Sequence, residues 1–493
     1  MIREKLENIK NNIEVRKNLS ELRKTIKEQG GKHALLYAMG MEEDLLVPLL
    51  KHEDPKVRKN TALLLGDLAR EEDLEPLFEA YMREEQRFVR SAYLSAMKEF
   101  DYRDYVEPLK KRLEELSKEV ITVETKKHIQ EEMRGISDLI VTMEGVRSHK
   151  FAGMEEPSNL ILLTNRNHID VTKKQLECFK TKAFGAGLMV KCDDLERLLE
   201  VRTFEELLFM VDGMNTCERE VEKAAKAIAS SDLLHFLAIR HKGKAPFYFR
   251  IELKAKMDLD KKSAFTKKLA AEIEQRTNRQ LINTTSNYEV ELRLIENKEG
   301  NFNVLVKLYT LKDSRFNYRK EVIATSIKGV NAALTVALAK DYLKEGAQVL
   351  DPFCGVGTML IERHKLVKAN TMYGLDTFSE AIEKAKGNTQ AARQIIHYVN
   401  RDFFDFTHEY LFDEVITNMP RVTNRKSQGE IYEVYQKFFK KVKQHLAEDG
   451  VIIMYSHNRE CALQEAKASG FKLKEAFEIN KREGSYVLIF KEK

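Results

Sequence analysis

The spacing of apolar positions changes character twice along this chain. Up to about residue 145, apolar residues recur every three to four positions with almost no strict alternation, which predicts amphipathic helices. Within that stretch the pattern repeats itself. Leu46-Val47-Pro48-Leu49-Leu50, Asp54-Pro55, Val57-Arg58 and Ala62 to Gly66 return as Leu74-Glu75-Pro76-Leu77-Phe78, Val89-Arg90 and Ala92 to Met97, and Val106-Glu107-Pro108-Leu109 opens a third copy. The two Val-Arg pairs lie 32 residues apart, a period that predicts stacked helical hairpins. Each proline is expected to bend the first helix of its hairpin, Asp54-Pro55 to break into the second, and the arginine of Val-Arg to tie neighbouring units together.

Residues 148 to 158, with Gly153 and Pro157, read as a linker. Beyond it the signal is mixed: strands at 247–253, 288–295 and 302–308, and a helix at 263–277. From residue 349 a third regime begins, in which short apolar runs end in an acid and give way to helical periodicity. Val349 to Asp351, Thr371 to Asp376, Ile395 to Phe403 and Asp413 to Thr417 are the successive runs. Strands alternating with helices predict a mainly parallel sheet. The expected architecture is therefore an α-helical solenoid at 1–145, an α+β module at 155–320 and a Rossmann-like α/β domain at 321–493.

Chemistry concentrates in that last part. The first run empties into Asp351-Pro352-Phe353-Cys354-Gly355-Val356-Gly357-Thr358 before a helix predicted over 359–367. Glycines 355 and 357 let the backbone approach a ligand where a Cβ would clash. A dinucleotide site would have a third glycine where Leu360 stands, and a phosphate loop would follow with Gly-Lys-Ser/Thr; neither is present, and Asp351 repels phosphate. An acid-led glycine turn suits a cationic ligand with a free amine, which S-adenosylmethionine supplies. Asp376, 25 residues after Asp351, stands where a ribose-binding carboxylate belongs, and Asp402, with Phe403 beside it, is placed to accept from an adenine amine. Taken singly, an acid at a strand end is equally a helix cap.

The fourth strand ends in Asn418-Met419-Pro420-Arg421, which resembles the [Asn/Asp]-Pro-Pro-aromatic box of amino-methyltransferases. That resemblance implies that Asn418 and the next carbonyl accept hydrogen bonds from an exocyclic base amine. The segment Asp351 to Thr358 is similar to the cofactor turn of the THUMP-containing RNA guanine-N2 methyltransferases, which implies cofactor contacts from Asp351, Phe353, Cys354, Gly355, Gly357 and Thr358. Phe184 to Val190, Asp194 to Leu208 and the strands and helix between 247 and 308 resemble that family's ferredoxin-like and THUMP segments, and Asn317-Tyr318-Arg319-Lys320 its Tyr-Arg punctuation. Two positions depart from the box: Met419 stands for a proline and Arg421 for an aromatic ring. The implied function is N2-methylation of guanine in ribosomal or transfer RNA. A cofactor-binding but catalytically silent RNA factor and a protein methyltransferase remain open alternatives. Arg315, Arg319, Lys320, Arg421 and Arg425 are the basic candidates for phosphate contact.

The N-terminal repeats resemble HEAT repeats, whose concave surface would hold a protein partner or extend the substrate platform. Composition adds little: 83 Lys plus Arg against 78 Asp plus Glu leave a net charge of +5, compatible with RNA without requiring it. The 5 cysteines are scattered without C-x-x-C spacing, so a reducing compartment and no metal are expected. His457 and Cys461 follow a strand at 451–456, but Cys461 falls on a helical segment and reads as packed rather than nucleophilic. No run reaches the roughly 18 apolar residues of a membrane span, so a cytoplasmic protein is expected.

Overall fold

The computed structural model describes residues 2–28, 30–40, 45–119, 122, 124–144, 149–243, 245–421 and 427–492. The chain divides into two compact units, Met1–Ser148 with Pro246–Tyr248 and Ala270–Asn287, and the remainder. Ser148, the first residue of the expected linker, lies outside the described residues.

The first unit is built on α1 (Ile2–Lys10), α2 (Val15–Ile26), α3 (Gly31–Met39), α4 (Pro55–Leu68), α5 (Leu74–Arg83), α6 (Arg87–Met97), α7 (Val106–Lys118) and α8 (Lys126–Glu144). Helices α2, α4, α6 and α8 stack in register as one layer. The α4–α6 approach is close enough that a Cβ on Gly66 would lie 2.6 Å from Ala96 Cα. Successive layers are tied by arginines reaching acids one repeat on. Arg23 bonds Asp67 at 2.7 Å, Arg58 grips Glu84 with two bonds of 2.8 and 2.7 Å, and Arg90 bonds Glu132 at 2.9 Å. The tie expected of the Val-Arg pairs is thus made. The expected proline bends are not: Pro48 sits in the 3-10 turn Val47–Lys51, and Pro76 and Pro108 occupy the third positions of α5 and α7. The first amides of a helix have no intrahelical acceptor, so proline there breaks no bond and starts the helix instead of kinking it.

The second unit opens with β1 (Lys150–Phe151), β2 (Ser158–Thr164), α9 (Ile169–Lys174), β3 (Lys180–Phe184), β4 (Gly187–Cys192), α10 (Leu195–Leu198), β5 (Phe204–Phe209), β6 (Thr216–Cys217), α11 (Val221–Ala229), α12 (Leu233–Arg240), β7 (His241–Lys242) and β8 (Phe247–Lys254). Then come α13 (Leu259–Arg276) and β9 (Leu281–Asn283), of which the residues from Ala270 to Asn287 fall in the first unit, followed in the second by β10 (Val290–Glu296) and β11 (Phe302–Leu308). A mixed sheet runs β3-β4-β2-β5-β11-β10-β8, with β10 parallel to β8 and the other pairs antiparallel.

The same unit continues as α14 (Gly329–Leu338), β12 (Gln348–Asp351), α15 (Thr358–Leu366), β13 (Thr371–Asp376), α16 (Ser379–Ala391), β14 (His397–Asn400), β15 (Phe412–Asn418), α17 (Gln428–Val442), β16 (Leu446–Ser456), α18 (Arg459–Ala468), β17 (Phe471–Asn480) and β18 (Ser485–Glu492). Its sheet runs β14-β13-β12-β15-β16-β18-β17, parallel through β16 and antiparallel in the last two strands. Successive residues feed opposite faces. Leu350, Val415, Ile452 and Met454 pack with the aromatic face of α17, whereas Val349, Ile416, Ile453 and Tyr455 pack with α14 and α15. Burial on both faces is why these runs read as continuously apolar. Strand order reverses between β12 and β15, so the loops after those strands diverge and leave a crevice at their carboxyl ends.

A fully buried ion pair locks this sheet to α15. Arg363 gives Glu414 two bonds of 2.8 and 2.6 Å, and both side chains are wholly inaccessible. Arg363→Met strands the Glu414 carboxylate, a loss of about 3–5 kcal/mol. Native-state hydrogen exchange is expected to speed up at the β12 and β15 amides.

Candidate active site

The crevice is shaped by the chain between β12 and α15. Gly355 (φ +51°) and Gly357 (φ +79°) occupy the left-handed region. At Gly357 the constraint is also steric, because a Cβ would lie 2.1 Å from Tyr398 Oη. At Gly355 none of the described residues lies within 4 Å of that position, so the backbone is bare on one side. Two backbone bonds stitch this turn to the end of β13: Cys354 N–H donates to Leu375 O at 2.8 Å, and Gly355 N–H to Asp376 Oδ2 at 3.0 Å.

The three acids play different parts. Asp351 is 1% exposed; its Oδ1 accepts from Thr417 Oγ1 at 2.6 Å and from Phe353 N–H at 3.1 Å, bridging the loops after β12 and β15. Burial pushes its pKa up to about 7, against the two hydrogen bonds and with help from the negative charge of Asp376. Asp376 is half-buried, with Oδ1 accepting from Phe378 N–H at 2.9 Å and Oδ2 from Gly355 N–H. Two amides thus fix the carboxylate while each oxygen keeps a further lone pair. Asp402 caps the 3-10 turn Phe403–Asp405, accepting from Phe404 N–H at 3.0 Å.

Several expected site residues are built into the core. The strand expected over 395–403 is only His397–Asn400, and the Phe403 ring, 1% exposed, packs against Phe353 and Phe438, so it has no face for an adenine. Phe353 is half-buried in the same aromatic cluster. Cys354 is buried and its thiol is pushed far up by burial, which makes it a packing residue. Cys461, on α18, is likewise pushed up to about 11 by burial. Thr358 opens α15 with its hydroxyl buried and unpartnered among the described residues.

Across the reversal point, β15 ends at Asn418. The Asn418 side chain is half-buried and makes no protein hydrogen bond among the described residues. Met419 is anchored by its N–H to Tyr455 O at 2.9 Å and buries its side chain in the core, while Pro420 is half-buried and Arg421 is exposed.

Of the basic candidates, Arg315 is corrected by the structure. It is 5% exposed, bonded to Asp313 and to Phe204 O at 2.6 Å, and its guanidinium lies 3.5 Å from the Phe204 ring centroid. A cation so enclosed is not available to a phosphate. Arg319 spends one N–H on Ile327 O at 2.9 Å; Lys320 is exposed; Arg425 lies outside the described residues.

Three structural details around the crevice escaped the sequence. Tyr398 closes off both Gly357 and Gly374, where a Cβ would lie 2.8 Å from its ring, and is held by Thr389 at 2.8 Å. Asn388 donates to Val356 O at 3.1 Å and ties the turn to Glu321. Arg202 reaches Glu362 on α15 with two 2.7 Å bonds, joined by Tyr318 Oη at 2.6 Å. The Tyr-Arg segment was visible beforehand, but nothing marked Tyr318 as one half of a clasp.

A family model described as RMKL-like, methyltransferase domain matches residues 317–484, and one for HEAT repeats matches residues 43–123. The ribosomal protein L11 methyltransferase of Dictyoglomus turgidum is 28% identical over 159 residues, which cover 32% of this chain and 48% of that protein. The chain thus spans about half the length of that relative. Among solved structures, TrmN from Thermus thermophilus superposes with a TM-score of 0.51 at 16% identity, covering 69% of this chain and 100% of its own. A predicted N6-adenine-specific DNA methylase from Listeria monocytogenes gives 0.52 at 14%, covering 69% and 97%, and SMU.472, solved with SAH, gives 0.52 at 14%, covering 69% and 99%. These likenesses establish the fold, which is that of S-adenosylmethionine-dependent methyltransferases. Residues 317–484 thus match a methyltransferase domain of the RMKL-like type, on a chain whose residues 43–123 match HEAT repeats.

Proposed function

We propose that this protein transfers a methyl group from S-adenosylmethionine to the N2 amine of a guanine in structured RNA, ribosomal or transfer. The observation that carries the reading is Asn418, whose side-chain amide stands unpartnered among the described residues, across the strand-order reversal from the glycine turn. TrmN is one of the proteins sharing this fold, and the segment preceding residue 317 resembles a THUMP module.

The residues present fit the donor. Gly355 leaves room against bare backbone, and Asp376, fixed by two amides, keeps lone pairs for a ribose diol. Asp351 supplies negative charge under the turn toward a cationic amine, and Asp402 an acceptor for an adenine amine. When bound, the donor supplies an electrophilic methyl carbon whose departure converts a sulfonium into a neutral thioether. Asn418 Oδ1 and the Met419 carbonyl accept from the guanine amine and hold its lone pair in line with that carbon. Pro420 limits the motion of the Met419 carbonyl. The N–C bond forms as C–S breaks, positive charge moves from sulfur to nitrogen, and the surplus amine proton leaves to water. Positioning carries the rate, so no strong base is required. Arg421, exposed beside the box, meets the phosphate flanking the flipped base.

Nucleoside mass spectrometry of RNA from cells with and without the protein is expected to show one methylguanosine lost on deletion. Loss of no RNA methyl group, with methylation of a polypeptide amine instead, would favour the activity named for the L11 relative. Asn418→Ala is expected to leave S-adenosylhomocysteine affinity unchanged by calorimetry and to lower kcat about 100- to 1,000-fold. Asp376→Ala is expected to weaken that affinity about 10- to 100-fold.

Asp351 adds a pH dependence. A carboxyl with a raised folded pKa stabilises the ligand-free fold while protonated, and that contribution is lost as pH rises from about 4 through about 7. Asp351→Asn is expected to flatten melting temperature across this window. In the native protein, affinity for S-adenosylhomocysteine should rise as the carboxyl ionises.

A further inference from the structure

The HEAT repeats contain a groove of about 770 Å³ where the 3-10 turn Val47–Lys51, the start of α4 and one face of α5 meet. Its apolar lining comes from Val47, Leu50, Pro55, Pro76 and Ala80. Six glutamates line it, at 53, 72, 75, 79, 84 and 85, against three cations, Lys51, Arg58 and Arg83. The lining therefore carries a net charge of −3, opposite in sign to the +5 of the whole chain.

The internal pairings leave three of the six glutamates without a cation among the described residues. Arg58 is committed to Glu84 by its two bonds and Glu72 lies 3.8 Å from Arg70, whereas the Arg83–Glu79 pair at 3.2 Å is solvent-exposed and open to exchange with a partner's cation. Glu53, Glu75 and Glu85 are exposed, and their carboxylates make no hydrogen bond or ion pair among the described residues. On α5, Glu75 and Glu79 stand one turn apart on the same helix face, a spacing at which like charges destabilise a helix by a few tenths of a kcal/mol. The carboxylates left unpaired are complemented by a cationic partner. A phosphate backbone, negative at every residue, is repelled by them.

We infer that this groove docks a basic polypeptide segment of another protein, seating an aliphatic side chain on Leu50, Pro55 and Ala80 while lysine or arginine side chains meet Glu75, Glu79 and Glu85. The inference does not depend on what the methyltransferase domain modifies. The full-length protein is titrated against a fluorescein-labelled synthetic peptide of alternating lysine and leucine, read by anisotropy. A glutamate-for-lysine version and an RNA hairpin serve as competitors. Saturable binding of the basic peptide, weakened by salt and displaced by neither competitor, is expected. The variant E75K/E79K/E85K, which alters exposed positions only, is expected to lose about thirtyfold in affinity with an unchanged circular dichroism spectrum. It should in turn capture the acidic peptide. Absence of basic-peptide binding, equal binding by the triple variant, or displacement by the RNA hairpin overturns the assignment.

Discussion

Asp351 holds a carboxyl out of water between the ends of β12 and β15, and the crevice depends on that placement. The Thr417 hydroxyl reaches across the reversal of strand order to the acid, and the Phe353 amide closes on the same oxygen. These two bonds fix where the glycine turn leaves β12 relative to where β15 delivers Asn418. A group that must acquire charge in a dry environment is costly. The crevice therefore rests on an acid that burial holds well above the usual carboxylate range.

The turn itself is defined as much by what presses on it as by its glycines. Tyr398, arriving from β14, occupies the volume that a side chain on residue 357 would need, and Thr389 on α16 holds the phenol there. Asn388 reaches the turn from the same helix and hands its remaining bonds to the segment entering the domain. The loop is thereby held by β13, β14 and α16 together, consistent with preorganisation rather than induced closure.

Much of this was legible in the residues. The acids at the ends of β12 and β13, the paired glycines and the Asn-Met-Pro-Arg run all fall at the carboxyl ends of strands, because burial on both sheet faces leaves a strong apolar signal on either side of each loop. The 32-residue repeat emerged for a similar reason, since every hairpin buries equivalent positions. What sequence could not separate was a cation facing water from one folded inward. Arg315 reads like Arg319 or Lys320, yet the Phe204 ring and a carbonyl enclose it. Nor could it show that Asp402 caps a turn, or foresee that the hydrophobic run before it would yield only four strand residues and bury Phe403. Prolines were misread because their position within the first helical turn, and not their presence, decides whether a helix is interrupted.

Glu362 has a further implication. This acid lies inside α15, 1% exposed, and its bidentate cation Arg202 comes from the loop before β5, more than a hundred residues ahead of the segment that matches the methyltransferase domain. A fragment starting at residue 317 would keep the glycine turn, the Asn418 box and the Tyr318 bond to Glu362, and yet lose the only cation paired with that acid among the described residues. The stretch that homology delimits is accordingly smaller than the stretch that must be inherited together, and any recombination between relatives that separates the two residues inherits a defect at the junction.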